Sequence, residues 1–178
     1  MRRLSLILCS IALLAQGPKY KLGHAPSDAD VAKTDIFIAP DGKGLPPGKG
    51  TAFDAKETYS RRCARCHGTQ GQGDQEGPLV GGKDSLKSAK PLKTVGSFWP
   101  YSTTLYDYIR RAMPFDNPGL LDANQTYAVT ALILHWNGII GEKDIIDATT
   151  LPKVKMPNRD GFVKDERPDT GAKAKKKK

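Results

Sequence analysis

Cys63-Ala64-Arg65-Cys66-His67 is a CxxCH stretch, the spacing that attaches a c-type haem. Cysteines at i and i+3 of a helix share a face, so both sulfurs can form thioethers with the vinyl groups of one porphyrin while His67 brings an imidazole to the iron. Two other chemistries use paired cysteines, and both fit badly. A closed zinc site needs four nitrogen or sulfur ligands, and beyond these three the chain offers only Cys9, His24 and His135. A thioredoxin-type pair opens a helix, whose dipole lowers the thiol pKa, whereas this pair falls at the end of one.

Upstream of the motif, Asp54 and Glu57 resemble a capping box, and Ala55, Tyr59, Cys63 and Cys66 form one helical stripe that delivers the two thiols. Downstream, the glycine-rich run from Gly68 to Gly82 predicts a loop lying close to a flat ring, with Pro78 offering its carbonyl to the outer nitrogen of His67. Ser102 predicts a cap for a helix through Ala112, with Leu105, Tyr108, Ile109 and Ala112 facing inward. That helix stops at Met113, because the following Pro114 disfavours the helical conformation there. Asp122 and Gln125 predict a second cap for an apolar helix from Ala123 to about Trp136, closed by Asn137-Gly138, with Tyr127, Ala131 and Leu134 packing on the first helix.

His67 supplies one axial position. Met113, placed 46 residues later on an extended loop between two helices, is the expected second ligand, so that the metal set is His67 and Met113. Met156 is the competitor but sits in the charged C-terminal tail, and His135 and His24 are the bis-histidine alternatives, each more simply explained as structural. A methionine sulfur favours Fe(II) and raises the potential relative to a second histidine. Leu79, Phe98, Trp99, Tyr101 and Tyr106 are candidate haem-wall residues, for which ordinary core packing is the competing explanation. Lys83, Lys87 and Lys90 are either a docking rim or a solvated helix face.

At the N-terminus, Met1-Arg2-Arg3 followed by the uncharged run Leu4–Ala15 reads as a signal peptide over residues 1–17, with an uncleaved anchor as the alternative. The run is shorter than the roughly 20 residues a membrane helix needs, so no stable membrane insertion is expected. With Cys9 removed and the other two cysteines committed to haem, no disulfide framework remains. The organisation expected is a signal peptide (1–17), an N-terminal arm (18–50), a haem domain (51–140) and a C-terminal arm with a lysine-rich tail (141–178). The net charge of +9 would suggest nucleic acid, but setting aside Arg2, Arg3 and the five terminal lysines leaves +2, so nucleic-acid binding is not expected. The arms, poor in periodicity, read as segments laid on a surface or a partner.

These residues make an all-α fold that resembles the class I c-type cytochromes over 51–140, through CxxCH, Gly77-Pro78-Leu79 and Met113-Pro114. A narrower likeness runs over about residues 20–165. Leu45-Pro46-Pro47-Gly48, the stretch from Thr94-Val95-Gly96-Ser97-Phe98-Trp99-Pro100-Tyr101 to Arg110-Arg111-Ala112-Met113-Pro114-Phe115, and Lys155-Met156-Pro157-Asn158-Arg159-Asp160-Gly161-Phe162 resemble SoxD, the cytochrome subunit of the sulfane dehydrogenase of the Sox thiosulfate-oxidising system. The resemblance implies a periplasmic electron-transfer subunit, not an enzyme by itself. It would carry one covalent haem c on Cys63 and Cys66 with His67 and Met113 as axial ligands, beside a SoxC-like molybdenum-cofactor subunit, and pass electrons to a downstream acceptor cytochrome. The chain departs from some SoxD proteins in having one CxxCH and a lysine-rich end. The competing readings are a soluble shuttle cytochrome, the cytochrome subunit of a sulfite dehydrogenase, and a gas-binding haem protein with an open iron position, which carbon monoxide would reveal.

Overall fold

The computed structural model describes residues 22–167; the signal-peptide expectation, the lysine-rich tail and Tyr20 lie outside them. The chain divides into two compact units, Met1–Ile36 and Phe37–Lys178. In the first, Ser27 and Asp30 form a reciprocal capping box at the start of helix α1 (Asp28–Thr34), which buries none of its residues.

The second unit is built around its last long helix. Strand β1 (Lys49–Gly50) leads into a 3-10 turn (Phe53–Ala55), α2 (Lys56–Arg62), α3 (Ala64–His67), a second 3-10 turn (Ser85–Lys87), α4 (Ser102–Ala112), α5 (Ala123–Trp136), strand β2 (Ile146–Asp147) and a third 3-10 turn (Leu151–Lys153). Helix α5 has the ends expected of it. Asp122 accepts the Gln125 amide while the Gln125 side chain accepts the Asp122 amide, and Asn137 and Gly138, the latter at φ +69°, close it. Its whole middle, Thr126 to Leu134, is buried. Two polar residues survive there because the Thr126 and Thr130 hydroxyls donate to the carbonyls of Asp122 and Thr126, at 2.8 and 2.7 Å.

Around α5 lie α2, α4, the first 3-10 turn and β1. Gly50 is the point of closest approach: a side chain there would sit 2.5 Å from the Ala128 amide nitrogen. The pairing of β1 with β2, Gly50 opposite Ile146, fastens the segment after α5 to the segment before α2.

Local chemistry moves three of the expectations. The capping box before α2 is Thr51 with Asp54, not Asp54 with Glu57: Asp54 accepts the Thr51 amide at 3.0 Å and donates its own to the Thr51 hydroxyl at 3.3 Å, while Glu57 pairs with Arg61. The side chain of Ser102 does not cap α4; its hydroxyl donates to the Leu151 carbonyl at 2.7 Å. On α4 the buried aromatic is Tyr106, 0% exposed and packed on Tyr127, whereas Tyr108 is 45% exposed.

Both flanking segments pack on the helical core. Ile38 is buried and its amide donates to Asp107, Thr103 donates to the Pro40 carbonyl, and Tyr127 donates to that of Pro46. At the other end, Ile146, Leu151 and Met156 are 3% exposed or less and belong to the same core, and Asn158 donates to the Phe98 carbonyl at 2.8 Å. Residues 37–50 and 146–158 are therefore structural parts of this unit.

Candidate haem site

The stripe predicted from spacing is present but bends. Ala55 and Tyr59 are buried, α2 ends at Arg62, and Cys63 leaves ideal helix geometry (φ −122°, ψ −36°) before α3 resumes with Ala64. The Tyr59 hydroxyl reaches across this bend to the Gly68 carbonyl at 3.1 Å, and its ring meets Trp136 of α5 edge-on at 4.7 Å. Tyr59 thus brackets the five motif residues and ties them to the central helix. Sequence reading placed Tyr59 on the stripe but not its hydroxyl, because a helical pattern gives the side of a residue and not the reach of its tip.

Cys63 and Cys66 are unpaired thiols, both half-buried. Burial, and secondarily the neighbouring Cys66, pushes the Cys63 thiol up to about 11. That is opposite in sign to a thiol activated for disulfide exchange. Among the described residues no group of three or more His, Cys, Asp or Glu side chains could hold a metal ion.

His67 Nδ1 lies 3.2 Å from the Gly77 carbonyl oxygen. A carbonyl only accepts, so in this hydrogen bond Nδ1 carries the proton and Nε2 keeps its lone pair for a metal. The carbonyl belongs to Gly77 and not to the expected Pro78. The loop that offers it is itself held by the motif: Gly73 donates to the His67 carbonyl and Glu76 to that of Cys66, both at 2.8 Å.

Met113 stands where the proline argument put it. Helix α4 ends at Ala112, Met113 is extended (φ −122°, ψ 145°), and the Met113–Pro114 peptide is cis. Its side chain is half-buried against the core, as are those of Cys63, Ala64, Leu79, Trp99 and Trp136 among others. The segments that carry His67 and Met113 also meet: Arg65, inside the motif, lies 4.0 Å from Asp116, three residues beyond Met113. Met156, by contrast, is 3% exposed within the core. His135 Nδ1 is engaged with the Ile140 carbonyl at 3.2 Å, and His24 is exposed in the first unit.

Of the candidate wall residues, Leu79 and Trp99 join that half-buried apolar set. Tyr106 is core. Phe98 and Tyr101 are occupied by the C-terminal segment, Phe98 edge-on with Phe162 at 5.2 Å and Tyr101 beneath the Arg159 guanidinium at 4.3 Å. Two unpaired thiols at thioether spacing, both half-buried, and an imidazole oriented through its outer nitrogen form a donor set that fits a covalent haem.

Residues 52–137 match the family model for Cytochrome c. The chain is similar to a chain in the crystal structure of the sulfane dehydrogenase SoxCD from Paracoccus pantotrophus, at 37% identity, covering 86% of this chain and 76% of that one, with a TM-score of 0.77. No curated protein matches it.

Proposed function

From the premise that this chain belongs to the SoxD-like c-type cytochromes, we propose that it is the electron-transfer subunit of a periplasmic molybdenum sulfane dehydrogenase. Haem c, held covalently, supplies a one-electron Fe(III)/Fe(II) couple; the chain's residues hold and tune it. Cys63 and Cys66 would anchor the porphyrin, and His67 and Met113 would bind its iron. The Gly77 carbonyl fixes the His67 ring and increases its basicity as a ligand, and the Met113 sulfur favours the reduced state. Bound by both His67 and Met113, the iron would offer no open site for substrate, and the chain would then be an electron carrier and not an enzyme by itself. Sulfane sulfur is oxidised on a SoxC-like molybdenum subunit, and the electrons leave through this chain to a downstream cytochrome.

The observation that carries this reading is the likeness over 86% of the chain, well beyond the residues 52–137 that match the Cytochrome c model. Among the described residues no helix is long and apolar enough to cross a membrane. The unit before Phe37 carries Leu22, Val31 and Ile36 at 87%, 48% and 46% exposure. A seven-residue helix that buries nothing is marginal in water, and the surface of a permanent partner gives it something to pack on.

The test is reconstitution with the molybdenum subunit. The two proteins should co-purify, and a carrier protein bearing sulfane sulfur should reduce the haem only when both are present. Reduction by sulfite and not by the sulfane-loaded carrier would assign the chain to a sulfite dehydrogenase, and a carbon monoxide adduct of the reduced native protein would mean that Met113 does not hold the sixth position.

A further inference from the structure

The loop from Gly82 to Lys93 contains Lys83, Lys87, Lys90 and Lys93 against a single acid, Asp84. All four lysines are exposed, and among the described residues none makes a salt bridge. The loop is nevertheless built to hold its shape. The Ser85 hydroxyl donates to the Gly82 carbonyl at 2.7 Å and accepts the Leu92 amide at 3.0 Å, so one side chain ties the two ends of the loop together. The Leu92 carbonyl accepts the Ser97 hydroxyl at 2.6 Å, and Thr94 donates to the Gly81 carbonyl at 2.6 Å. Gly82 sits at φ +73° where any side chain would strike the Leu92 carbonyl. The Lys93 ammonium lies 5.0 Å above the Phe98 ring.

This platform is anchored beside the haem site. The Gly81 amide donates to Asn137 at the end of α5, and the Val95 amide to the carbonyl of Leu79, two residues from the Gly77 carbonyl that holds His67. Four ammonium groups with no carboxylate partner among the described residues, on a stapled loop, form a patch that attracts acidic surfaces over about a Debye length, and such patches speed encounter more than they strengthen a complex. A permanent subunit interface is larger and more apolar; here Leu92 is the one large apolar side chain among the exposed residues, at 43%.

We propose that the Gly82–Lys93 loop is the docking surface for the transient electron acceptor, an acidic redox protein. The proposal rests on the electron-transfer reading above, and its test is independent of the molybdenum subunit. The native holoprotein, reduced with dithionite, is mixed in a stopped-flow instrument with the acidic copper protein plastocyanin as oxidant, over a range of salt concentrations. Two variants are compared, each losing four positive charges: Lys83, Lys87, Lys90 and Lys93 to Gln, and Lys43, Lys143, Lys153 and Lys155 to Gln, the second set exposed elsewhere on the same unit. The loop variant should be oxidised about tenfold or more slowly at low salt and with a flatter salt dependence, its absorption spectrum and reduction potential unchanged. The second variant should lose much less. Lys87→Glu alone should slow the reaction in the same sense.

Equal slowing in both quadruple variants would reduce the effect to net charge and overturn the proposal, as would an unchanged rate in the loop variant. Binding to phosphatidylglycerol vesicles that vanishes in the loop variant, with plastocyanin oxidation unaffected, would give the loop to a lipid surface and also overturn it. Failure of the molybdenum subunit to reduce the haem would count against the proposed function alone.

Discussion

Two methionines show how burial and backbone conformation divide the work between residues of one type. Met113 is half-buried on an extended segment at the end of α4, and Met156 is enclosed in the core. Met113→Ala should abolish the methionine-to-iron charge-transfer band of the oxidised protein while leaving a folded domain. Met156→Ala should keep the band but lower stability by about 2–5 kcal/mol, the usual range for emptying a buried site. Loss of the band in Met156→Ala with its retention in Met113→Ala would reverse the ligand assignment. The sequence held the Met113 placement because a proline constrains its predecessor whatever the tertiary structure. It did not show that Met156 is buried, since that depends on where a segment without periodicity comes to rest. The shift from Pro78 to the Gly77 carbonyl is of the same kind: spacing located the loop but not which of two adjacent carbonyls faces the ring.

At the scale of elements, the ends of α5 were fully legible, because a capping box and an Asn-Gly stop are local chemistry. Asp122→Ala should accordingly cost about 1 kcal/mol, read as a lowered melting temperature. Ser102 failed as a cap because a hydroxyl that satisfies a distant carbonyl is no longer available to its own helix, and Leu151, its partner, lies 49 residues away. Gly50 carries a packing constraint of similar range: Gly50→Ala should cost about 1–3 kcal/mol by forcing β1 away from Ala128. The turn after β2 gives a pH test. Hydrogen bonds from Thr149, and then from the Thr150 and Thr149 amides, hold the Asp147 carboxyl down to about 2, below the ordinary aspartate value near 3.9. The folded state therefore prefers the ionised form, a contribution present above about pH 4 and lost as pH falls through about 2. Asp147→Asn should flatten the fall in melting temperature across that window; a slope as steep as in the native protein would mean that other carboxylates govern acid unfolding.

For the molecule as a whole, the two ends of the chain make opposite predictions. The second unit begins at Phe37, and Ile38, Pro40 and Pro46 immediately engage α4 and α5. The segment ending at Ile36 has exposed apolar residues and a helix that buries nothing. A mature protein trimmed to start at Phe37 should keep its haem spectrum and melting temperature but associate more weakly with the molybdenum subunit, and sulfane-dependent haem reduction should slow. Ending the chain at Thr150 is a different operation. It removes Leu151 and Met156 from the core, the carbonyl that receives Ser102, and the Asn158 contact with Phe98. This second protein should melt at a markedly lower temperature or fail to accumulate with haem, so a loss of association there would say nothing about docking. The informative comparison is the trimmed N-terminus: unchanged association and unchanged haem reduction would place the contact with the molybdenum subunit on the haem-bearing unit, and the exposed residues before Phe37 would then need another explanation.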